Sequence, residues 1–150
     1  MAIGKSKLHD LLRRGQRISD VAAWYETFES GQIRKEILDW IRKDQLMNQG
    51  VNASNEVIGL YSAFTESLDS SKVAGTPYTL NDTGEFYRSM FIMILPNAIE
   101  IDANPIKGND NLFEKYGNSI IGLTPESLIK LSVITKKKYI EYIKEILLRP

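Results

Sequence analysis

The chain has 150 residues, 43% apolar and 25% charged, with 19 basic and 19 acidic side chains, one His and no Cys. That size suits one domain able to bury roughly two-thirds of its unfolded surface, and the mixture excludes wholesale disorder. A formal net charge of zero argues against a generic nucleic-acid binder, and the lack of Cys excludes disulfides, Cys-ligated zinc, iron–sulfur clusters and thiol nucleophiles.

Residues 1–17 form a basic arm, with Lys5, Lys7, Arg13, Arg14 and Arg17 against Asp10 alone. Leu8, Leu11 and Leu12 fall on one helical face, and Gly15 breaks the pattern. The arm reads either as a short amphipathic limb that docks on a partner subunit or as a solvated terminus. The stretch Met1–Lys7 lacks an apolar core of signal-peptide length, so synthesis in the cytoplasm is expected.

Residues 18–150 read as a single α+β domain. A helix starts near Ser19, a suitable N-cap, with Val21, Trp24, Tyr25 and Phe28 on one face. Ile33, Ile37, Trp40 and Ile41 continue the helical spacing to about Met47. Gly31 marks a kink or a join between two helices. Long loops follow at about 48–56 and 69–83, of the kind that a partner orders, with a short strand expected over Val57–Tyr61.

Glu85–Leu95 reads as a strand, with room for a helical turn at its start. Pro96-Asn97 makes a turn, and Ile99, Glu100, Ile101 and Asp102 alternate as in a half-buried strand, giving a hairpin at about 85–103. Met90–Leu95 is apolar on both faces, so it is expected to be central in a sheet or covered by another subunit. At six residues it is also the longest apolar run, too short to span a membrane. A short helix over Asp110–Tyr116 closes at Gly117. Thr124-Pro125-Glu126 starts a helix over about 125–148, with Ile129, Val133, Ile140, Ile143 and Leu147 along one face. Lys136, Lys137 and Lys138 form a basic patch, a weak candidate for DNA phosphates and otherwise a solvated face.

Charge runs unevenly: residues 1–50, 51–110 and 111–150 carry +2, −5 and +3. An acidic middle between basic ends suits faces that meet head to tail, although short segments also fluctuate by this much.

Catalytic motifs are lacking. There is no nucleophile elbow and no phosphate-binding glycine loop, and the single His9 sits in the basic arm. Counted as a calcium loop from Asp102, the positions that need an oxygen, a Gly and a Glu hold Ile106, Lys107 and Phe113. Asp82, Glu85, Glu100 and Asp102 lie on or near the hairpin, which leaves a carboxylate-metal nuclease as the alternative from another class. A regulatory binding module is a third reading.

One stretch is distinctive. Leu80–Met90 reads Leu-Asn-Asp-Thr-Gly-Glu-Phe-Tyr-Arg-Ser-Met and leads into the hairpin. Further on, Leu112–Gly117 reads Leu-Phe-Glu-Lys-Tyr-Gly, ahead of the Pro-started helix. This order resembles the small tailed-bacteriophage proteins that join head to tail or complete the tail. In those proteins a Thr-Gly-x-Leu-x-x-Ser turn leads into a strand, and an aromatic–Gly element and a closing helix follow. Phe86 stands where Leu is usual, and the 48–82 region is longer than in the simplest members. Gln45-Leu46, Gly50-Val51-Asn52 and Gly59-Leu60-Tyr61-Ser62 resemble a pattern from phages of gut Bacteroidetes.

The resemblance covers about residues 18–148. It implies a long N-terminal helix, a small antiparallel sheet and a C-terminal helix. It further implies a structural virion protein, in the neck, head–tail joint or tail ring, assembled in the host cytoplasm. Such a protein needs no catalytic residue, cofactor or metal. It repeats itself in six or twelve copies around the DNA channel, against portal, neck or tail proteins, with incidental contact to packaged DNA. Candidate interface residues are the arm leucines Leu8, Leu11 and Leu12, the turn residues Thr83 and Gly84, and the aromatic residues Phe86, Tyr87 and Tyr116. The aromatic three serve either an interface or the core of a single subunit.

Overall fold

The computed structural model describes residues 7–149. Helix α1 (Lys7–Gly15) contains the arm leucines; residues 1–6 of the arm lie outside the described residues. The hydroxyl of Ser19 accepts the amide of Ala22 and so caps α2 (Asp20–Glu29). Ser30 leaves the helical region, and α3 (Gly31–Asp39) starts afresh, so the chain has a join there rather than a kink. Arg34 Nε donates to the carbonyl of Phe28 at 2.8 Å, satisfying one acceptor that the end of α2 leaves open.

From α3 the chain runs directly into a π-helical stretch, Trp40–Gln49. It closes at Gly50, which has a φ of 62° and whose N–H reaches back to the carbonyls of Gln45 and Leu46. Ile41, Gln45 and Leu46 of this stretch are all buried. The apolar periodicity of this segment does not distinguish this winding from an α-helix.

Residues 50–82 are pinned by single bridges rather than by a strand. Val51 bridges Val57, and Leu60 bridges Pro77, so the strand expected over Val57–Tyr61 does not form. Pro77 has no N–H to extend the pairing. A short helix, α4 (Ala63–Leu68), is capped by the Ser62 hydroxyl.

The predicted strand also starts later than expected. Glu85–Ser89 is a helical turn, α5, and the hairpin consists of β1 (Phe91–Leu95) and β2 (Ala98–Asp102). The two strands are antiparallel, with Phe91 opposite Asp102, Ile92 opposite Ile101 and Met93 opposite Glu100. A minor hairpin, β3 (Ile106–Lys107) and β4 (Asp110–Asn111), leads into α6 (Leu112–Tyr116). A 3₁₀ turn, Asn118–Ile121, precedes α7 (Pro125–Leu148), capped by the Thr124 hydroxyl. The architecture is thus α+β: seven helices and two small antiparallel sheets, among the described residues.

One core unites these elements. Phe28, Ile37, Ile41, Leu46 and Ile120 are its fully buried centre. Each such side chain contributes roughly 1.5–3 kcal/mol of transfer free energy. Ile92, Ile94, Ile99 and Ile101 pack on it from the hairpin, and Leu131 and Ile134 from α7.

Candidate assembly surfaces

Gln45 decides how α7 sits. Its side chain is only 1% exposed. Its Nε2 donates to the carbonyl of Gly122 at 2.8 Å. Its Oε1 accepts from the amide of Thr124 at 3.0 Å and from the hydroxyl of Ser127 at 3.1 Å. A buried carboxamide satisfied at both ends fixes position and rotation, because each broken bond leaves a desolvated polar group. Ser127, Leu131 and Tyr142 are therefore the buried residues of α7. The apolar face read from the sequence is exposed over most of its length: Ile129 is 65% exposed, Val133 63% and Ile140 42%. Only Ile143 and Leu147, at its far end, are half-buried. There α1 lies against α7, with Arg14 Nη1 donating to the carbonyl of Leu147 at 2.9 Å. That places a cation at the negative end of the helix. The arm thus docks on its own chain, and it leaves Leu8, Leu11 and Leu12 exposed.

The hairpin presents the second uncovered surface. Its sheet has only two strands, so Met90–Leu95 is not central. The inner residues meet the core, whereas Phe91, Met93, Glu100 and Asp102 point outward and are exposed. The hairpin is held from beneath. Trp24 Nε1 donates to the carbonyl of Leu95 at 2.6 Å, and Arg42 Nη2 donates to that of Met90 at 2.9 Å.

The Thr83-Gly84 turn serves local structure. Gly84 has a φ of 80° and caps α5, and a Cβ there would lie 2.8 Å from Arg88 Nη1. Thr83 is exposed, and its carbonyl accepts from Arg88. Phe86 is buried in the core beside Phe113, so it has no surface left for a neighbouring subunit. Tyr87 is half-buried; its hydroxyl donates to the carbonyl of Thr79. Burial, with Tyr61 adding to it, pushes that phenol well above the usual tyrosine range. Tyr116 stands edge-on to Tyr78, ring centres 6.0 Å apart, and Tyr78 stands likewise to Tyr61 at 4.8 Å.

Asp82 clasps two loops. Lys107 Nζ lies 3.0 Å from one of its oxygens and Lys72 Nζ 3.5 Å from the other. Hydrogen bonding and charge from Lys107, then the charge of Lys72, hold its carboxyl below the usual value. Lys72 also lies 3.5 Å from Asp69. Burial disfavours its charge, but the two aspartates outweigh this and raise the ammonium pKa.

The acids weighed for metal chemistry do not converge. Asp82 is spent on lysines, Asp102 accepts the amide of Ala103, and Glu100 and Asp102 look outward. Among the described residues, no three His, Asp or Glu side chains come together to hold a metal ion. Lys136, Lys137 and Lys138 are all exposed, but they fan around α7 by about 100° per residue and share no single face. Lys138 pairs with Glu141 at 3.5 Å. No described helix is long and apolar enough to cross a membrane.

The described surface carries exposed leucines on α1, an apolar and basic face on α7, and an apolar and acidic face on the hairpin. The sequence reading found these residues and placed those of α7 along one helical face without saying which side of the helix packs inward. The signal it lacked was the second apolar stripe on α7, which passes through Leu131 and Ile134. No protein-family model matches the chain, and neither a curated protein nor a solved structure matches it.

Proposed function

We propose that this chain is a structural virion protein of a tailed phage, part of a neck, head–tail joint or tail ring. It builds that part by repeating itself around the DNA channel, in six or twelve copies, between portal, neck or tail proteins. The observation that supports this reading best is the pair of uncovered apolar faces on one small core, Ile129 and Val133 on α7 and Phe91 and Met93 on the hairpin. Apolar patches rimmed by charge mark interaction surfaces. A subunit with two unlike faces is what a ring of identical copies requires. The order of elements, from Thr-Gly turn through hairpin and aromatic–Gly helix to closing helix, agrees with the resemblance described above. Catalysis and a cofactor have no part in this role. Contact with DNA is secondary to it, since the lysine triplet presents no common face.

Native mass spectrometry across a concentration series tests the reading. Closed species of six or twelve copies are the expected result. A chain that stays monomeric at every concentration, and is missing from purified particles of its phage, sinks it.

A further inference from the structure

The geometry points to the contact that joins one copy to the next: the outward face of α7 on one copy seats on the outward face of the β1–β2 hairpin of its neighbour. This inference rests on the ring reading and names the surfaces that build the ring.

The two faces match in chemistry. On α7, Ile129, Val133 and Ile140 lie along one line, and at about 100° per residue Lys136, Lys137 and Lys144 flank them. Lys130 and Lys138, toward the other sides of the helix, are paired with Glu126 and Glu141. Lys136, Lys137 and Lys144 have no ion-pair partner among the described residues. On the hairpin, Phe91 and Met93 lie directly across the ladder from Asp102 and Glu100. An apolar centre with a basic rim thus meets an apolar centre with an acidic rim, the arrangement that steers encounter and sets register.

The two faces also match in size. From Ile129 to Ile140 the helix rises about 16 Å, and a five-residue strand is about 16 Å long. An open groove of about 460 Å³ runs beside β2, lined by Met93, Glu100 and Asp102 together with Phe113, Asn118 and Ile121.

The faces cannot satisfy each other within one molecule. The inner sides of α7 and of the hairpin both look into the same core, so their outer sides look away from it. The contact is therefore intermolecular. Each copy offers its two faces to two different neighbours, so the contact is head to tail and propagates; a reciprocal exchange of the same two faces would instead close at a two-fold dimer. It also accounts for Met90–Leu95, which is apolar on both sides in a sheet too narrow to cover it.

Cysteine cross-linking tests the contact, since the chain has no thiol of its own. Met93→Cys and Val133→Cys chains are mixed at a concentration where wild type assembles, then oxidised. Disulfides joining position 93 of one copy to 133 of another are expected in the mixture. Links within either variant alone should stay at the level of a Glu56→Cys control. Efficient 133–133 or 93–93 links would show like faces meeting and overturn the proposal, as would no link above the control or 93–133 links confined to a closed dimer.

Charge reversal provides a second readout at exposed positions. Glu100→Lys with Asp102→Lys, and separately Lys136→Glu with Lys137→Glu, should each weaken self-association at least about tenfold. The variant with all four changes should regain it. Failure of the fourfold variant to recover, with its circular dichroism native, overturns the proposal. Closed rings whose links avoid 93–133 would keep the ring reading and sink this contact. Open chains linked through 93–133 would keep the contact and sink the closed ring.

Discussion

The carboxamide oxygen of Gln45 accepts the amide hydrogen of Thr124 at 3.0 Å, across 79 residues of chain. That bond ties the middle of the π-helical stretch to the start of α7. It joins the two longest helical segments at a buried point, and it sets which stripe of α7 faces solvent.

Replacing Gln45 by Leu keeps the volume close but leaves the buried Thr124 N–H and the half-buried Gly122 carbonyl without their partner. The cost should be about 2–4 kcal/mol, since each orphaned group forfeits its desolvation compensation. Urea unfolding measures it. A loss below about 1 kcal/mol would mean that water or a neighbour replaces the lost bonds.

Two glycines with nearly the same backbone make a controlled comparison. Gly50 and Gly108 have φ of 62° and 60°. A Cβ at Gly50 would sit 2.4 Å from Pro77 Cβ and 2.7 Å from the Tyr78 carbonyl oxygen, whereas one at Gly108 meets nothing within 4 Å. Gly108→Ala should cost about 1 kcal/mol from backbone conformation alone. Gly50→Ala should cost at least about 2 kcal/mol more, because backbone must move. Equal melting points for the two variants would contradict the close packing of the 50–82 region on the core.

Phe86 and Leu12 separate packing from assembly. Phe86→Ala empties a core site and should lose about 3–5 kcal/mol. Leu12 is 62% exposed, so Leu12→Ala should change monomer stability by no more than about 0.5 kcal/mol. Thermal unfolding of the two variants ranks them, and a large loss at Leu12 would place α1 deeper in the protomer than described.

The Asp82 clasp should depend on pH and salt. Its carboxyl titrates below the ordinary aspartate value, because Lys107 and then Lys72 favour the charged form. Its contribution is thus complete above the ordinary value, near pH 4, and is lost as pH falls through the lowered one. The side chains are substantially exposed, so Asp82→Asn should cost under about 1 kcal/mol at neutral pH, and less in 1 M salt. A cost unchanged by salt would point to packing rather than charge.

Several elements were legible in local chemistry. Ser19 as a cap, Thr124-Pro125-Glu126 as a helix start, Pro96-Asn97 as a hairpin turn and Gly117 at the end of a short helix all form where their side chains dictate. Local hydrogen bonds and fixed φ values act over three or four residues, so such signals survive without knowledge of the rest. The strand start at Phe91 was obscured because Glu85–Ser89 runs straight into the apolar stretch Met90–Leu95, yet it follows a left-handed glycine that opens a helical turn. The outward faces were half legible. Glu100 and Asp102 read as outward, and they are.

By itself, then, the sequence determined the class, the approximate elements, their caps and the absence of thiol chemistry, all of which follow from residue type and short-range spacing. The tertiary structure alone decided the rotation of α7. Its helix has one apolar stripe through Ile129, Val133 and Ile140 and another through Leu131 and Ile134, and periodicity gives both equal standing. The choice lies with a distant glutamine, because a buried carboxamide must find Gly122, Thr124 and Ser127 together. Once that bond set holds, Leu131 and Ile134 face the core, and Ile129, Val133 and Ile140 face outward.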